Sequence, residues 1–124
     1  MKTLVFGASL KSHRFSNKAI QKLVSLDYKV VAYGLKQGVV GGIEIDTTLQ
    51  AYENVHTVTI YMNANRQEEF YDYIVGLKPK RVIFNPGAEN PDFFKILMLA
   101  EIECEVACTL VLLSSNHYEP QESK

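Results

Sequence analysis

Five short runs rich in β-branched and aromatic residues constrain the fold more than any other feature of this chain. They cover residues 2–6, 29–33, 57–61, 81–84 and 105–109. Apolar runs of this length are typical of strands buried on both faces. The segments between them have helical spacing, and strands that alternate with helices form parallel sheets covered on both sides. The sequence therefore predicts an α/β domain of three layers, with a parallel sheet of about five strands.

Capping residues and prolines predict where the helices begin and end. The first helix should begin at Ser16, whose hydroxyl can cap it, and end before Asp27. Asn65 is a candidate cap for a later helix that stops at Lys78 and Pro79. An Asn-Pro pair opens the helix predicted over residues 91–103, because proline fits the first helical turn.

Two segments lack a regular pattern. The connection over residues 34–54 carries four glycines in its first half, which predicts a shaped loop with a short helix at 47–52. The last eleven residues, 114–124, are polar, and this tail is predicted to be partly disordered or to pack on a partner chain. The predicted domain therefore comprises residues 1–113.

Composition limits the possible partners. Of the 124 residues 47% are hydrophobic, enough for one core but not for two domains. The net charge of -1 provides no broad basic field for nucleic acid, so we expect no nucleic-acid partner. No apolar run approaches the roughly 20 residues that span a bilayer, and no leader segment is visible. We expect a protein that does not contact membranes and resides in the cytoplasm.

The two cysteines fit the same compartment. Cys104 and Cys108 lie in or beside the last predicted strand, which would separate their Cα atoms by about 13 Å. A disulfide needs Cα atoms within about 7 Å, so we expect two reduced thiols.

The turn after the first strand has the features of a phosphate site. In an open parallel sheet, ligands bind beyond the carboxyl ends of the strands. Here the turn leads into a helix N-terminus, whose free N–H groups and dipole favour an anion. Glycine allows close approach of the backbone, hydroxyls donate hydrogen bonds, and basic side chains neutralise charge. The candidate binding residues of this turn are Gly7, Ala8, Ser9, Lys11, Arg14 and Ser16. Alternatively, Gly7 merely turns the chain and the basic residues are solvated.

The end of the second strand suggests which nucleotide is bound. NAD sites usually place a carboxylate there to bond the ribose hydroxyls, but residues 30–38 contain none. Lys36 would suit a phosphate on the adenosine ribose, which coenzyme A and NADP carry and NAD lacks. A solvated lysine is the alternative.

Two further turns add candidate residues. Asn85, Pro86 and Gly87 follow the fourth strand and could line the distal part of a ligand, although Pro-Gly is a strong turn signal in any case. Tyr61 ends the third strand and could also touch the ligand. The histidines are scattered, and no spacing of ligands matches a metal site.

At these residues the sequence resembles the small stand-alone CoA-binding protein family, relatives of the CoA-binding domain of succinyl-CoA synthetase. The segments that carry the resemblance are residues 5–9, 14–19, 34–38 with the glycines at 41 and 42, 85–90 and 108–110. The resemblance implies a Rossmann-like fold, with the cofactor diphosphate near Gly7 to Ser9. It also implies a ribose phosphate near Lys36 and pantetheine running past Pro86 and Gly87.

The leading hypothesis is a non-catalytic binding or regulatory module that senses, carries or presents coenzyme A or an acyl-CoA. Its expected protein partner is a separate enzyme or a second copy of the chain in a homodimer. The alternative is an NADP-binding reductase-like enzyme or subunit, in which Lys36 binds the ribose phosphate of NADP. A phosphoacceptor signalling domain would need acidic residues after the first strand and an aspartate at the end of the third. Residues 7–9 and 61–63 contain no carboxylate, which argues against that class. We therefore expect a small nucleotide cofactor as the ligand.

Overall fold

A computed structural model describes residues 1–119 and shows one mostly parallel sheet. Within those residues the sheet has seven strands, two more than expected. The strands are β1 (Lys2–Ala8), β2 (Lys29–Gly34), β3 (Gly38–Val40), β4 (Ile43–Asp46), β5 (Val55–Ile60), β6 (Arg81–Phe84) and β7 (Glu103–Val106). Their order across the sheet is β3-β4-β2-β1-β5-β6-β7. β3 is antiparallel to β4, and the other paired strands are parallel, which confirms the α/β prediction.

Helices cover both faces of the sheet and complete the three layers. They are α1 (Phe15–Ser25), α2 (Ala64–Gln67), α3 (Tyr71–Gly76), α4 (Pro91–Leu99) and α5 (Thr109–Ser114), with a short 3₁₀ turn, Glu68–Phe70, between α2 and α3. On one face Leu4 and Phe6 of β1 pack with Ile74 and Phe93. On the other face Val5 packs with residues of α1 and α5. Among residues 1–119, no helix combines the length and apolar character needed to cross a membrane.

The helix boundaries differ from the predicted ones in three places. Arg14 is the N-cap residue of α1 and its side chain makes no capping bond, so Ser16 does not cap this helix. Asn63 rather than Asn65 caps α2, because its backbone is extended and its side chain accepts from the Arg66 N–H at 3.2 Å. α4 ends before Glu101, which has a positive φ of 62° that turns the chain toward β7.

The connection after β2 forms a hairpin instead of the expected loop and helix. β3 and β4 pair through a turn at Gly41 and Gly42, whose φ values of 57° and 82° favour glycine. The predicted helix at residues 47–52 is absent. The Tyr52 hydroxyl instead bonds the Asp46 carboxylate at the end of β4, a tertiary contact that overrides local propensity.

The last strand ends earlier than expected, at Val106. The Asn85 side-chain oxygen accepts from the Thr109 N–H at 2.8 Å, and α5 begins there. Cys104 therefore lies in β7, whereas Cys108 is the N-cap residue of α5. Both cysteines are free.

The segment after α5 folds back onto the sheet. Tyr118 is only 2% exposed, and its hydroxyl lies 2.6 Å from the Thr3 hydroxyl. Its carbonyl accepts a 2.8 Å bond from the guanidinium of Arg81, a buried side chain. The expected disorder of the polar tail falls in part on residues 120–124, which lie outside the described residues.

Candidate functional site

A pocket of about 570 Å³ opens at the carboxyl ends of β1, β2 and β5. The chain passes from β1 to β2 on one side of the sheet centre and later adds β5 on the other side of β1. Such a reversal leaves a crevice between the two turns, which is the usual ligand position in open α/β sheets. The topology therefore places the pocket where the sequence suggested a binding site.

The structure brings nine of the eleven candidate binding residues to this pocket. These nine are Gly7, Ala8, Ser9, Lys11, Arg14, Ser16, Lys36, Tyr61 and Pro86. Asn85 and Gly87 do not line it. The residues come from four separate turns, so their convergence is a property of the fold and not of local sequence.

The polar groups of Asn85 and Gly87 are bonded within the protein. The buried Asn85 amide nitrogen donates to the Thr59 hydroxyl at 2.7 Å and to the Ile60 carbonyl at 3.0 Å. The Gly87 N–H donates to the Glu89 carboxylate at 2.8 Å. Asn85 thus ties β6 to β5 beneath the site, while Gly87 shapes the following turn.

The N-terminus of α1 faces the pocket, and the N–H groups of its first turn donate to no group in residues 1–119. No side-chain hydrogen bond caps the helix within the described residues, and Phe15 and Ser16 of its first turn line the pocket. The Asn17 side chain donates to the Ser9 carbonyl at 3.0 Å, which holds the preceding loop against the helix. Free N–H groups at a helix N-terminus bind anions, and their position here is fixed before a ligand arrives.

Four cations and no carboxylate are found among the described residues that line the pocket. Lys11, Arg14 and Lys36 were predicted, and Arg66 was not. Arg66 lies three residues after Asn63, in the helix α2 that follows β5. A basic residue just after a strand that ends at the binding edge of the sheet is a signal by which the sequence could have identified it. The one-sided charge favours a ligand with several negative charges.

Six further apolar side chains line the pocket, and none of them was among the predicted binding residues. They are Leu10, Phe15, Tyr33, Leu35, Met62 and Phe70. Leu35 is 72% exposed and Phe15 is 59% exposed, so each offers apolar surface at the rim. Leu10, Leu35 and Met62 lie in loops, where no periodicity indicates their role. Phe15, Tyr33 and Phe70 lie in regular elements, where an apolar residue predicts core packing and not a binding site.

Two glycines allow the turns around the pocket to approach one another. Gly7 has a φ of 98°, and a Cβ there would lie 3.2 Å from the Met62 backbone nitrogen. At Gly34 a Cβ would lie 2.3 Å from the Ala8 carbonyl oxygen. The turns after β1, β2 and β5 can therefore meet only because these positions lack side chains.

Tyr61 lines the pocket, but its hydroxyl is buried beneath it, near the hydroxyls of Thr59 and Thr109. This hydroxyl has no hydrogen-bond partner among residues 1–119. Burial raises the pKa of Tyr61 to about 12, an effect that the nearby hydroxyls of Thr59 and Thr109 oppose. Tyr61 therefore stays protonated at neutral pH and can donate or accept a hydrogen bond as a neutral group.

Comparison with solved structures shows that this fold is shared. A crystal structure of an uncharacterized protein is 42% identical, with a TM-score of 0.91, covering 94% of this chain and 96% of that chain. A Thermus thermophilus protein is 20% identical, with a TM-score of 0.81 and coverage of 94% and 89%. A hypothetical protein from Pyrococcus horikoshii OT3 is 19% identical, with a TM-score of 0.75 and coverage of 89% and 80%. At these lower identities the likeness shows the fold alone.

The family comparison covers nearly the whole described chain. No curated protein matches this chain. The family described as "CoA binding domain" matches residues 1–114, a span that includes every strand, every helix and the pocket. The helix N-terminus at the pocket and the cations that line it fit a ligand of this kind, because coenzyme A carries a diphosphate and a ribose phosphate. On this evidence the chain belongs to the CoA binding domain family and has its Rossmann-like fold.

Proposed function

We propose that this protein binds coenzyme A or an acyl-CoA in the pocket at the carboxyl ends of β1, β2 and β5. The observation that carries the proposal is the N-terminus of α1, which no side chain caps within the described residues and which lines the pocket together with Lys11 and Arg14. The family supports CoA binding in general. The positions of the ligand groups proposed below follow from the charges and topology of the pocket.

The diphosphate of CoA would lie at the N-terminus of α1. Within residues 1–119 the N–H groups of its first turn make no hydrogen bond, and Gly7, with a φ of 98°, lets the preceding loop pass close to the Met62 backbone. Helix N–H groups bind such a group through hydrogen bonds and the helix dipole together. Lys11 and Arg14 are exposed and would add charge at the rim of the pocket.

Lys36 would bind the phosphate on the adenosine ribose. It follows β2, one strand to the side of the diphosphate position, and it lines the same pocket. The neutral arm of the cofactor would then extend the other way, across the end of β5. There Tyr61 and Pro86 line the wall.

A binding or regulatory role without catalysis agrees with the side chains of the pocket. Those that line it are cationic, apolar or hydroxyl-bearing, which suits the binding of a polyanion. In this role the protein would hold CoA or an acyl-CoA in the cytoplasm for a separate enzyme or as a homodimer. The free thiols of Cys104 and Cys108 agree with a reducing compartment.

Calorimetric titration with CoA and 3′-dephospho-CoA tests this assignment. In the parent protein we expect removal of the 3′-phosphate to weaken binding about three- to tenfold, the size of a partly exposed charge-assisted contact. In Lys36→Ala the two ligands should bind about equally. Lys29→Ala, which removes an exposed lysine at the opposite end of β2, is the matched control and should keep the parent difference.

Two results would contradict the proposal. Equal binding of both ligands by the parent protein would remove the role of Lys36. Tight binding of NADP with no binding of CoA in the same titration would favour the reductase-like alternative instead.

A further inference from the structure

Arg66 stands apart from the other three cations of the pocket. It follows β5, whereas Lys36 follows β2, and Lys11 and Arg14 lie between β1 and α1. In the sheet, β5 and β2 flank β1 on opposite sides. Arg66 and Lys36 therefore lie toward opposite ends of the pocket.

The Arg66 guanidinium has no partner within the described part of the chain. Within residues 1–119 its guanidinium makes no ion pair and no hydrogen bond. The nearest carboxylates along the chain, Glu68 and Glu69, do not line the pocket. Arg66 thus presents an uncompensated positive charge to whatever occupies this end.

The wall beside Arg66 is apolar. Met62, which is 5% exposed and follows β5, lines the pocket together with Arg66, and Pro86, which follows β6, lies on the same side. Such a wall suits the methylene groups of an acyl chain. One fixed charge beside an apolar wall suits an aliphatic chain that carries a charge of the opposite sign.

The charges of free CoA leave Arg66 without a partner. With the diphosphate at the N-terminus of α1 and the ribose phosphate at Lys36, the remaining arm extends toward β5. That arm consists of neutral amides and ends in a thiol, which is mostly uncharged at neutral pH. A carboxylate on the acyl group would supply the missing partner.

We infer that Arg66 selects acyl-CoA thioesters whose acyl group ends in a carboxylate, an inference that rests on the CoA-binding function proposed above. The guanidinium matches a carboxylate through two parallel N–H···O bonds. Met62 and Pro86 pack against the methylenes between the thioester and the carboxylate. Arg66 is therefore a specificity residue and takes no part in bond making or breaking.

Stable thioether analogues isolate the contribution of the carboxylate. S-Carboxymethyl-CoA and S-carbamoylmethyl-CoA have nearly the same shape, but only the first carries a charge on its substituent. Their homologues with one more methylene test a second chain length. Calorimetry with the parent protein compares each carboxylate with the amide of the same chain length. At the chain length that fits better, the carboxylate should bind about three- to tenfold more tightly than its amide.

Variants at position 66 assign that preference to the guanidinium. In Arg66→Gln the ratio of the two dissociation constants should fall to about one, whereas Arg66→Lys should keep part of it. Both substitutions are at an exposed position and should leave the protein folded. Lys95→Ala, which removes an exposed cation of α4 outside the pocket, is the control and should keep the parent ratio.

A ratio of about one in the parent protein at both chain lengths would overturn the inference. An unchanged ratio in Arg66→Gln would also overturn it. This includes the result that all four ligands bind more weakly by the same factor, which would show that Arg66 contacts the diphosphate that they share. Failure of the CoA-binding function itself looks different, because then neither the analogues nor CoA would bind to the parent protein.

Discussion

At the scale of single residues, Gly34 shows how closely the strand ends approach around the pocket. A Cβ at this position would lie 2.3 Å from the Ala8 carbonyl oxygen and 3.1 Å from a methyl group of Ile45. The first contact is with backbone, which cannot move aside as a flexible side chain can. In Gly34→Ala the ends of β1 and β2 must separate.

We expect Gly34→Ala to lower the free energy of unfolding by about 1–3 kcal/mol, the usual cost of overpacking. It should also weaken CoA binding, because Ala8 and Gly34 both line the pocket. Urea unfolding and calorimetry measure the two effects. Gly76→Ala is the control: nothing lies within 4 Å of its added Cβ, and in a helix the change should be neutral or stabilising. Equal stabilities for the two variants would contradict this account.

The sequence identified site residues well where their chemistry was distinctive. Glycine, hydroxyl and basic residues after β1 and β2 were predicted because phosphate binding requires them, and the structure brings them to one pocket. Arg66, Phe70 and the rim leucines were missed. Arg66 follows a strand that ends at the pocket, so a signal was available for it. Phe70 and the rim leucines reach the pocket through the packing of the turns after β5, β1 and β2, and the local sequence does not encode that arrangement.

At the scale of elements, two asparagines begin the helices that follow β5 and β6. Asn63 is exposed and accepts one bond, from the Arg66 N–H. Asn90 is buried, accepts from the Phe93 N–H at 3.1 Å, and donates to the Gln67 side-chain oxygen at 2.9 Å. Asn90 thus also joins α4 to α2.

These two caps should differ in their effect on stability. Asn63→Ala removes an exposed cap and should cost about 0.5–1 kcal/mol. Asn90→Ala removes a cap and leaves the buried Gln67 oxygen without its donor, so we expect a cost of about 2–4 kcal/mol. Urea unfolding of both variants measures the difference. A smaller loss for Asn90→Ala than for Asn63→Ala would contradict the role given to the buried amide.

Elements with strong local patterns were predicted, and elements fixed by tertiary contacts were not. β6 was predicted at its exact bounds, and the predicted bounds of β1, β2 and β5 lie within two residues of the observed ones. The β3–β4 hairpin was missed because its strands have only three and four residues among glycines. The absent helix at 47–52 had local support, but Tyr52 and the bond from the Tyr73 hydroxyl to the Gln50 carbonyl hold that segment in another conformation.

At the scale of the whole molecule, ligand binding and tail packing are found at opposite ends of the sheet. The carboxyl end carries the pocket. The amino end is closed by Tyr118, whose hydroxyl meets Thr3 near the start of β1 and whose carbonyl meets Arg81 at the start of β6. The Arg81 guanidinium also lies 4.8 Å from the centre of the Tyr118 ring. Stability and ligand binding should therefore be separable.

Substitutions of Tyr118 test this separation. Tyr118→Phe leaves the buried Thr3 hydroxyl without its partner and should cost about 1–2 kcal/mol. Tyr118→Ala also leaves a cavity and should cost about 3–5 kcal/mol. Urea unfolding gives these values, and calorimetry of the better-folded Phe variant should give the parent affinity for CoA. A CoA affinity that falls with stability in Tyr118→Phe would show that the two ends are coupled.

The central claim is that backbone donors at the N-terminus of α1 bind the diphosphate of CoA. The most direct measurement follows the backbone amide signals of the ¹⁵N-labelled protein by NMR during titration with CoA. We predict that the largest shifts belong to Gly7, Ser9, Phe15 and Ser16, while amides at the amino end of the sheet, such as that of Lys29, stay in place. Saturating CoA that leaves the Phe15 and Ser16 amides unshifted would contradict the account.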